Sequence, residues 1–457
     1  MQIDAFVTPG LGDSSYLVSW GEDAAMVDPQ RDVERFLAAA RARGVRIRTV
    51  IETHVHNDYV SGAAEIRAAT GADIWVPSGG SYAFDHDPVE DGTEIPLGDG
   101  TLVAMATPGH TFEHTTYVLR GPDGSAIAAF TGGSLMVGGA GRTDLLGADH
   151  TDELTRLQFA SLRRLWTLPD DVLVMPTHGQ GSFCGAGSSD GERERTSTIR
   201  IERAANAAFA ESDEATFVRD QLEDLPSYPA YYRAMAPINR AGPPVRGAVP
   251  IPPPLGVDDV AAAIEDGVSI VDMRPGIAFA AAHVPGSINV PLRSDSASYV
   301  GWLVPFGAPI VLVVEDDAAL REAATELWRI GWEALVGHLD GGVEAWEASG
   351  RPTSSYPVVD VDGLLAELER GEAGDVVDVR QDTEWRDGHL EASRHRFVGD
   401  LPATIGAERR RGRTTFVCAS GYRASMAASL LDAAGGEVRL VAPDGVPKAL
   451  ETLRQSV

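Results

Sequence analysis

The chain has 457 residues, too many for one hydrophobic core, and that length predicts about three domains. Its 44% apolar and 23% charged content is that of an ordinary globular protein, while 67 acidic against 38 basic residues give a formal net charge of −29. That balance excludes nucleic acid and anionic membrane as partners, since both need clustered Lys and Arg.

The opening MQIDAFVTPGLGDSSYLVSW has no basic n-region and no long apolar run, so no signal peptide is expected. No stretch of about 18 uncharged apolar residues occurs, so no transmembrane helix is predicted. The two cysteines, Cys184 and Cys418, lie far apart, which excludes a disulfide framework and predicts a reducing, cytoplasmic setting. Along the first half, DAAMVD, RTVIETH and TLVAMATP read as strands, and RDVERFLAAARARG and TDELTRLQFASLRRLW read as amphipathic helices. After about residue 220, proline density predicts extended chain through SYPAYYRAMAPINRAGPPVRGAVPIPPPLG. The expected first domain is therefore 1–245, with a Pro-rich linker at 246–255.

An internal repeat follows. VSIVDMRPGIAFAAAHVPGSINVPL and DVVDVRQDTEWRDGHLEASRHRFVGDL share an apolar strand ending in Asp-x-Arg, a short helix and a later His. Each is followed by a second buried strand, PIVLVV or TTFVC, and an amphipathic helix. Alternating strands and helices predict two copies of a small α/β domain with a parallel sheet, at 256–352 and 356–457.

Chemistry concentrates in two places. In ETHVHNDYVSG, His54, His56 and Asp58 follow a predicted strand, and alternation along extended chain aims all three the same way. His110 and His114 in TPGHTFEH and His178 in MPTHGQG also follow apolar strands and can reach the same sheet edge. His114 or His150 alone reads as a loop histidine satisfied by backbone; the set His54, His56, Asp58, His110 and His178 reads as a metal site. Cys184, in THGQGSFCGAG, is either a small buried hydrophobe or a thiol beside that site. In the last repeat, Cys418 ends TTFVC and opens CASGYRAS before a helix. Backbone N–H groups there stabilise a thiolate, Gly421 permits the curl, and Arg423 can fork onto a sulfur oxyanion. An exposed thiolate of this kind would attack sulfane sulfur and become a persulfide. The first repeat has Glu315, Asp316 and Asp317 at the matching place and no cysteine, so it should fold without transferring sulfur, as a spacer or docking element.

The run H-x-H-x-D, Pro-Gly-His, Thr-Gly, Gly-Arg-Thr-Asp and a final His resembles the metallo-β-lactamase superfamily. TPGHTFEHTTYVL followed by FTGGSLMVGGAGRTDL is similar to the persulfide dioxygenases of that superfamily that are fused to rhodanese domains. VDVR, GHL, HVPGSINVPL, LDGGVEAW and the six-residue CASGYR loop resemble rhodanese signatures, and a thiol is often found at the Cys184 position of such fusions. The resemblance implies an N-terminal αββα sandwich followed by two rhodanese-like α/β domains. It also implies one metal per chain, Fe²⁺ or alternatively Zn²⁺, on His54, His56 and His110, with Asp58 and His178 as further ligands or supports. The family's carboxylate ligand is replaced by Gly133, and the further histidine of two-zinc relatives by Tyr59, so a two-metal site is not expected. The implied activity is metal- and O₂-dependent oxidation of a small-molecule thiol persulfide to sulfite, with Cys418 passing sulfane sulfur to sulfite or from thiosulfate. The alternatives are a zinc-dependent thioester hydrolase of the glyoxalase II type, or a sulfur carrier with a vestigial metal domain. A homo-oligomer remains open.

Overall fold

The computed structural model describes residues 1–179, 181–184, 194–223 and 225–455. They form two compact units, Met1–Val249 with Trp328–Gly331, and Pro250–Leu327 with Trp332–Val457.

In the first unit, strands Gln2–Thr8, Asp13–Trp20, Asp23–Val27, Arg46–Ile51, Asp73–Pro77 and Asp87–Val89 pair in chain order. A second six-stranded sheet runs Ser197–Thr198, Leu173–Pro176, Ala126–Gly132, Thr115–Arg120, Gly100–Ala106 and Glu94–Leu97. Both inner faces bury Tyr16, Val18, Val27, Ile51, Leu102, Tyr117, Leu119 and Phe130 in one core. Helices Glu34–Arg43 and Ala63–Thr70 bury Phe36, Ala40 and Ile66 against the outer face of the first sheet. Ala148–Leu165 covers the second sheet through Leu162 and Leu165. This is an αββα sandwich, and the loops leaving Arg46–Ile51, Gly100–Ala106, Ala126–Gly132 and Leu173–Pro176 carry the candidate site.

One sequence expectation fails here. YRAMAPINRA, expected to be extended, is a helix, Tyr232–Ala241, with Pro237 inside it. An interior proline costs about 3 kcal/mol in an isolated helix. Burial of Tyr232, Met235, Ala236 and Asn239 along one face offsets that cost.

The second unit holds two five-stranded parallel sheets of one topology. The first runs Pro254–Leu255, Leu335–Leu339, Ile310–Val313, Ser269–Asp272 and Ile288–Asn289. The second runs Val358–Val359, Val438–Val441, Thr414–Val417, Asp375–Asp378 and Ser393–His395. The repeated Asp-x-Arg has the same job in both. Arg274 Nη2 donates to Asp272 at 2.7 Å, and Arg380 Nη2 donates to Asp378 at 2.7 Å, each carboxylate being buried at a strand end. The two repeats also pack on each other: Ser429 Oγ accepts from Asn289 N at 2.8 Å, and Trp302 meets Phe397 edge-on. No described helix is long and apolar enough to cross a membrane.

Candidate functional site

The strand Arg46–Ile51 delivers Glu52 through Val60 as a loop with no regular structure, and nearly all of it is buried. Asp28, at the end of the neighbouring strand, anchors the loop: its carboxylate accepts from Thr53 N and from Thr53 Oγ1, both at 2.7 Å, and from Thr177 Oγ1. His56 Nε2 lies 3.2 Å from Asp28 and 3.1 Å from Glu52. Burial works against a charged imidazole there, yet the two carboxylates raise its pKa well above the ordinary value. Asn239, on the proline-bearing helix, donates to the carbonyls of His56 and Tyr59 at 2.9 and 2.8 Å and accepts from Ser61 N at 2.9 Å. Tyr231 donates to the carbonyl of Asp58 at 2.9 Å. The loop is therefore pinned from three sides.

Five ring side chains meet beneath it. His54 lies 4.2, 4.9, 5.1 and 5.2 Å, centroid to centroid, from His56, His110, His114 and His178. His114 is committed elsewhere: Gly133 N donates to its Nε2 at 3.0 Å, and its Nδ1 faces Thr107 Oγ1 at 2.9 Å. Burial lowers its pKa to about 3, so it stays neutral. His110 differs. Its Nδ1 donates to the carbonyl of Arg142, in the Gly-Arg-Thr-Asp segment, at 2.7 Å, and its Nε2 is buried without a partner. His150 is exposed and stands apart against Phe112. Tyr59 stacks on His56 at 4.3 Å and donates to the carbonyl of Asp28 at 3.2 Å. Gly133 offers no side chain, and a Cβ there would lie 2.4 Å from His110 Cδ2.

The arrangement fits a cation. His56 Nδ1, His110 Nε2, Asp58 Oδ1 and Asp13 Oδ2 are all buried without a hydrogen-bond partner. Three groups bring donor atoms within 4.8 Å of one another around His178: His54 with His56, His110 with Cys184, and Asp13 with Asp58. With only protein around them, burial pushes Asp13 up to about 8 and Asp58 up to about 7. Cys184 is fully buried; burial, then Asp58 and Asp13, push its thiol pKa well up, and its Sγ donates to Asp58 at 3.4 Å. A cavity of about 280 Å³ reaches the histidine loop, with His54, His56 and Asn239 in its wall beside Tyr82, Phe84 and Arg67.

In the last repeat, the loop from Cys418 to helix Tyr422–Ala433 has Gly421 at φ +82°. A Cβ there would lie 2.7 Å from Ala442 Cβ, so the curl needs glycine. Ala424 N donates to Cys418 Sγ at 3.4 Å. Two features differ from the sequence expectation. The thiol is buried, 1% exposed, rather than open. Arg423 forks onto Glu384 at 2.5 and 2.7 Å, so its charge is matched within the protein. Tyr299, from the cysteine-less repeat, lies close enough for Cys418, Arg423 and Glu384 to shift its ionisation, although burial dominates that upward shift. Tyr422 donates to Asp295 of that repeat at 3.0 Å. Tyr299 and Asp295 of the first repeat thus stand beside the cysteine loop, and a cavity of about 540 Å³ opens next to it between Ser420, Tyr422 and Arg293. At the matching place in the first repeat, Asp316 Oδ1 accepts from Ala319 N at 2.8 Å and caps helix Asp317–Arg329.

Asp13, Asp28, Asn239, Glu384 and Tyr299 were not anticipated from sequence. Only Asp28, an acidic residue ending the apolar strand DAAMVD, carried a local signal.

An αββα sandwich with imidazoles and carboxylates gathered at one rim defines a metal-centred class of protein. The chain belongs to the metallo-beta-lactamase superfamily, matched over residues 8–178, and carries two rhodanese-like domains, matched over 256–349 and 360–443. It is 30% identical to a mitochondrial persulfide dioxygenase of Bos taurus over 205 residues, covering 44% of this chain and 76% of that protein. It is 36% identical to a hydroxyacylglutathione hydrolase of Polaromonas sp. over 169 residues, covering 36% of this chain and 61% of that one. A metallo-beta-lactamase structure from Staphylococcus aureus superposes with a TM-score of 0.66 at 26% identity, over 74% of this chain and 98% of that one.

Proposed function

We propose that the protein oxidises the sulfane sulfur of a low-molecular-weight thiol persulfide and moves sulfane sulfur through Cys418. The reading rests on one observation: a buried cluster of partnerless imidazole nitrogens stands in the same chain as a cysteine curled against a helix N-terminus. The similarity to a persulfide dioxygenase supports it. In this reading His54, His56 and His110 hold one metal, with Asp58 and His178 as additional or supporting groups and Cys184 beside them; His178 is the residue whose donor atom lies near both the His54–His56 pair and the His110–Cys184 pair. Ferrous iron, when bound, would supply O₂ binding and activation next to a sulfur ligand. The protein's own part is to hold the rings in place: Thr53 and the Arg142 carbonyl fix His54 and His110, and Asn239 fixes the loop that carries His56. The overall change is RSSH + O₂ + H₂O → RSH + SO₃²⁻ + 2H⁺. At the second centre, the Cys418 thiolate attacks the sulfane sulfur of thiosulfate, the S–S bond breaks, and sulfite leaves with the electron pair; transfer onto sulfite is the reverse.

The working division is 1–245 for the metal domain, 246–255 for the linker, 256–352 for the cysteine-less repeat and 356–457 for the transferring one. Both cysteines are free thiols, which supports a reducing compartment such as the cytoplasm.

Oxygen uptake with glutathione persulfide, accompanied by sulfite release, tests the reading: His110→Ala should abolish it. Equal slow uptake in both proteins would remove the oxidation. The second reading, a zinc-dependent thioesterase, is favoured by the similarity to hydroxyacylglutathione hydrolases. Zinc in the purified protein together with thioester cleavage and no oxygen uptake would select it.

A further inference from the structure

We propose that Asp13 positions His178 so that its Nε2 joins His54 and His56 in one imidazole set, replacing the carboxylate that Gly133 lacks. This rests on the reading that the first domain holds a metal, and is independent of what that metal does.

The backbone sets the two residues side by side. Asp13 and His178 form an isolated antiparallel bridge, flanked by Ser14 N donating to Thr177 O at 2.8 Å and Gly179 N donating to Gly12 O at 2.9 Å. Gly12 makes the approach feasible, because it has φ +72° and a Cβ there would lie 2.0 Å from Ser182 N. The link therefore ties the first strands of the domain to its last ligand-bearing loop.

Hydrogen bonding then decides which ring nitrogens carry lone pairs. Asp13 Oδ1 lies 2.9 Å from His178 Nδ1, and neither residue is exposed to solvent. Ionised, the Asp13 carboxylate accepts from Nδ1–H at that distance and leaves Nε2 with its lone pair. His54 is set in the same way. Its Nδ1 faces Thr53 Oγ1 at 2.9 Å, and that hydroxyl has already donated to Asp28, so it accepts from His54. His54 Nε2 and His178 Nε2 thus face each other, lone pair to lone pair, 3.2 Å apart. Two lone pairs at that separation repel unless something positive lies between them. It is also the spacing two nitrogens take when each is roughly 2.0–2.1 Å from one ion. His56, whose Nδ1 has no partner, stands with His54 and His178 in one group of donor atoms within 4.8 Å of one another, while His110, its Nδ1 given to the Arg142 carbonyl and its Nε2 without a partner, stands with His178 and Cys184.

A carboxylate ligand removes one unit of charge from a divalent ion, and an imidazole removes none. With Asp13 one layer out, the ion keeps its double charge and favours an anionic ligand such as a persulfide anion. Asp13 offsets that charge through the His178 ring.

The test is metal binding in the full chain, purified without oxygen. Stoichiometry is measured directly, affinity for Co²⁺ by chelator competition, and ligand set by the visible absorption of the Co²⁺ form. Wild type should hold one ion per chain. His178→Ala should lose about 100-fold in affinity and change the Co²⁺ spectrum. Asp13→Asn, which keeps the size of the side chain, should lose roughly 10- to 100-fold, and Asp13→Glu should recover part of it. Asp13→Asn matching wild type in affinity and spectrum would overturn the proposal. So would two ions per chain, which would give His178 and Asp58 to a second site, or a folded wild type that binds no Co²⁺. Stoichiometric metal without oxygen uptake would sink the oxidation reading and leave this one standing.

Discussion

Gly133 and His110 exclude any larger residue at position 133: a Cβ on the glycine would lie 2.4 Å from the imidazole Cδ2, and the ring cannot swing aside without losing the Arg142 carbonyl. Introducing a carboxylate by Gly133→Asp should therefore damage the site. We expect a loss of stability of about 1–3 kcal/mol from overpacking, with weaker metal binding. Metal titration and thermal melts of the variant check this, and tighter binding would contradict it.

Asn239 carries three hydrogen bonds into the histidine loop from a helix that looks unstructured in the sequence. Asn239→Ala leaves two buried carbonyls and one N–H unpaired. The expected loss is about 2–3 kcal/mol, together with faster metal release, read by denaturant unfolding and chelator kinetics.

Removing the metal should lower the melting temperature of the first domain. An ion present at a thousand times its Kd contributes on the order of 4 kcal/mol, and a domain of this size shifts roughly 2–4 °C per kcal/mol. A drop near 10 °C on chelation, reversed by adding metal back, is expected in calorimetry. An unchanged melt would mean that the folded protein has no working site.

Glu384 and Arg423 predict an acid-sensitive Cys418 loop. Burial raises the Glu384 pKa, but the Arg423 guanidinium outweighs it and holds the carboxyl below the usual value. A depressed carboxyl contributes stability above its unfolded pKa, about 4.3, and loses it as pH falls through the folded value. Acid unfolding of the last repeat should thus begin below about pH 4. Glu384→Gln should cost about 1–2 kcal/mol at pH 7, flatten that acid limb, and free Arg423 for an anion. A lower KM for thiosulfate with little change in kcat is the expected kinetic result. An unchanged acid limb would show that the pair does not govern it.

The strands and helices that bury regular apolar patterns were legible in the sequence, as were the repeat and its Asp-x-Arg strand ends, because period and spacing encode them. The helix over Tyr232–Ala241 was not, since its stability comes from tertiary burial that outweighs Pro237. His54, His110 and His178 could be suspected from strand-end placement, but Asp13 could not: it meets His178 through a bridge between segments 165 residues apart. The pairing of Arg423 with Glu384 was hidden for the same reason, being a contact across 39 residues with no periodic trace.

Asp316, capping the helix of the cysteine-less repeat, has a consequence for attempts to repair that repeat. Its carboxylate already accepts from Ala319 N, an N-terminal amide of that helix that an incoming sulfur oxyanion would need. A cysteine written into the loop would then lie beside a carboxylate rather than beside unpaired helix N–H groups. This half has no cysteine, and Asp316 already caps its helix start.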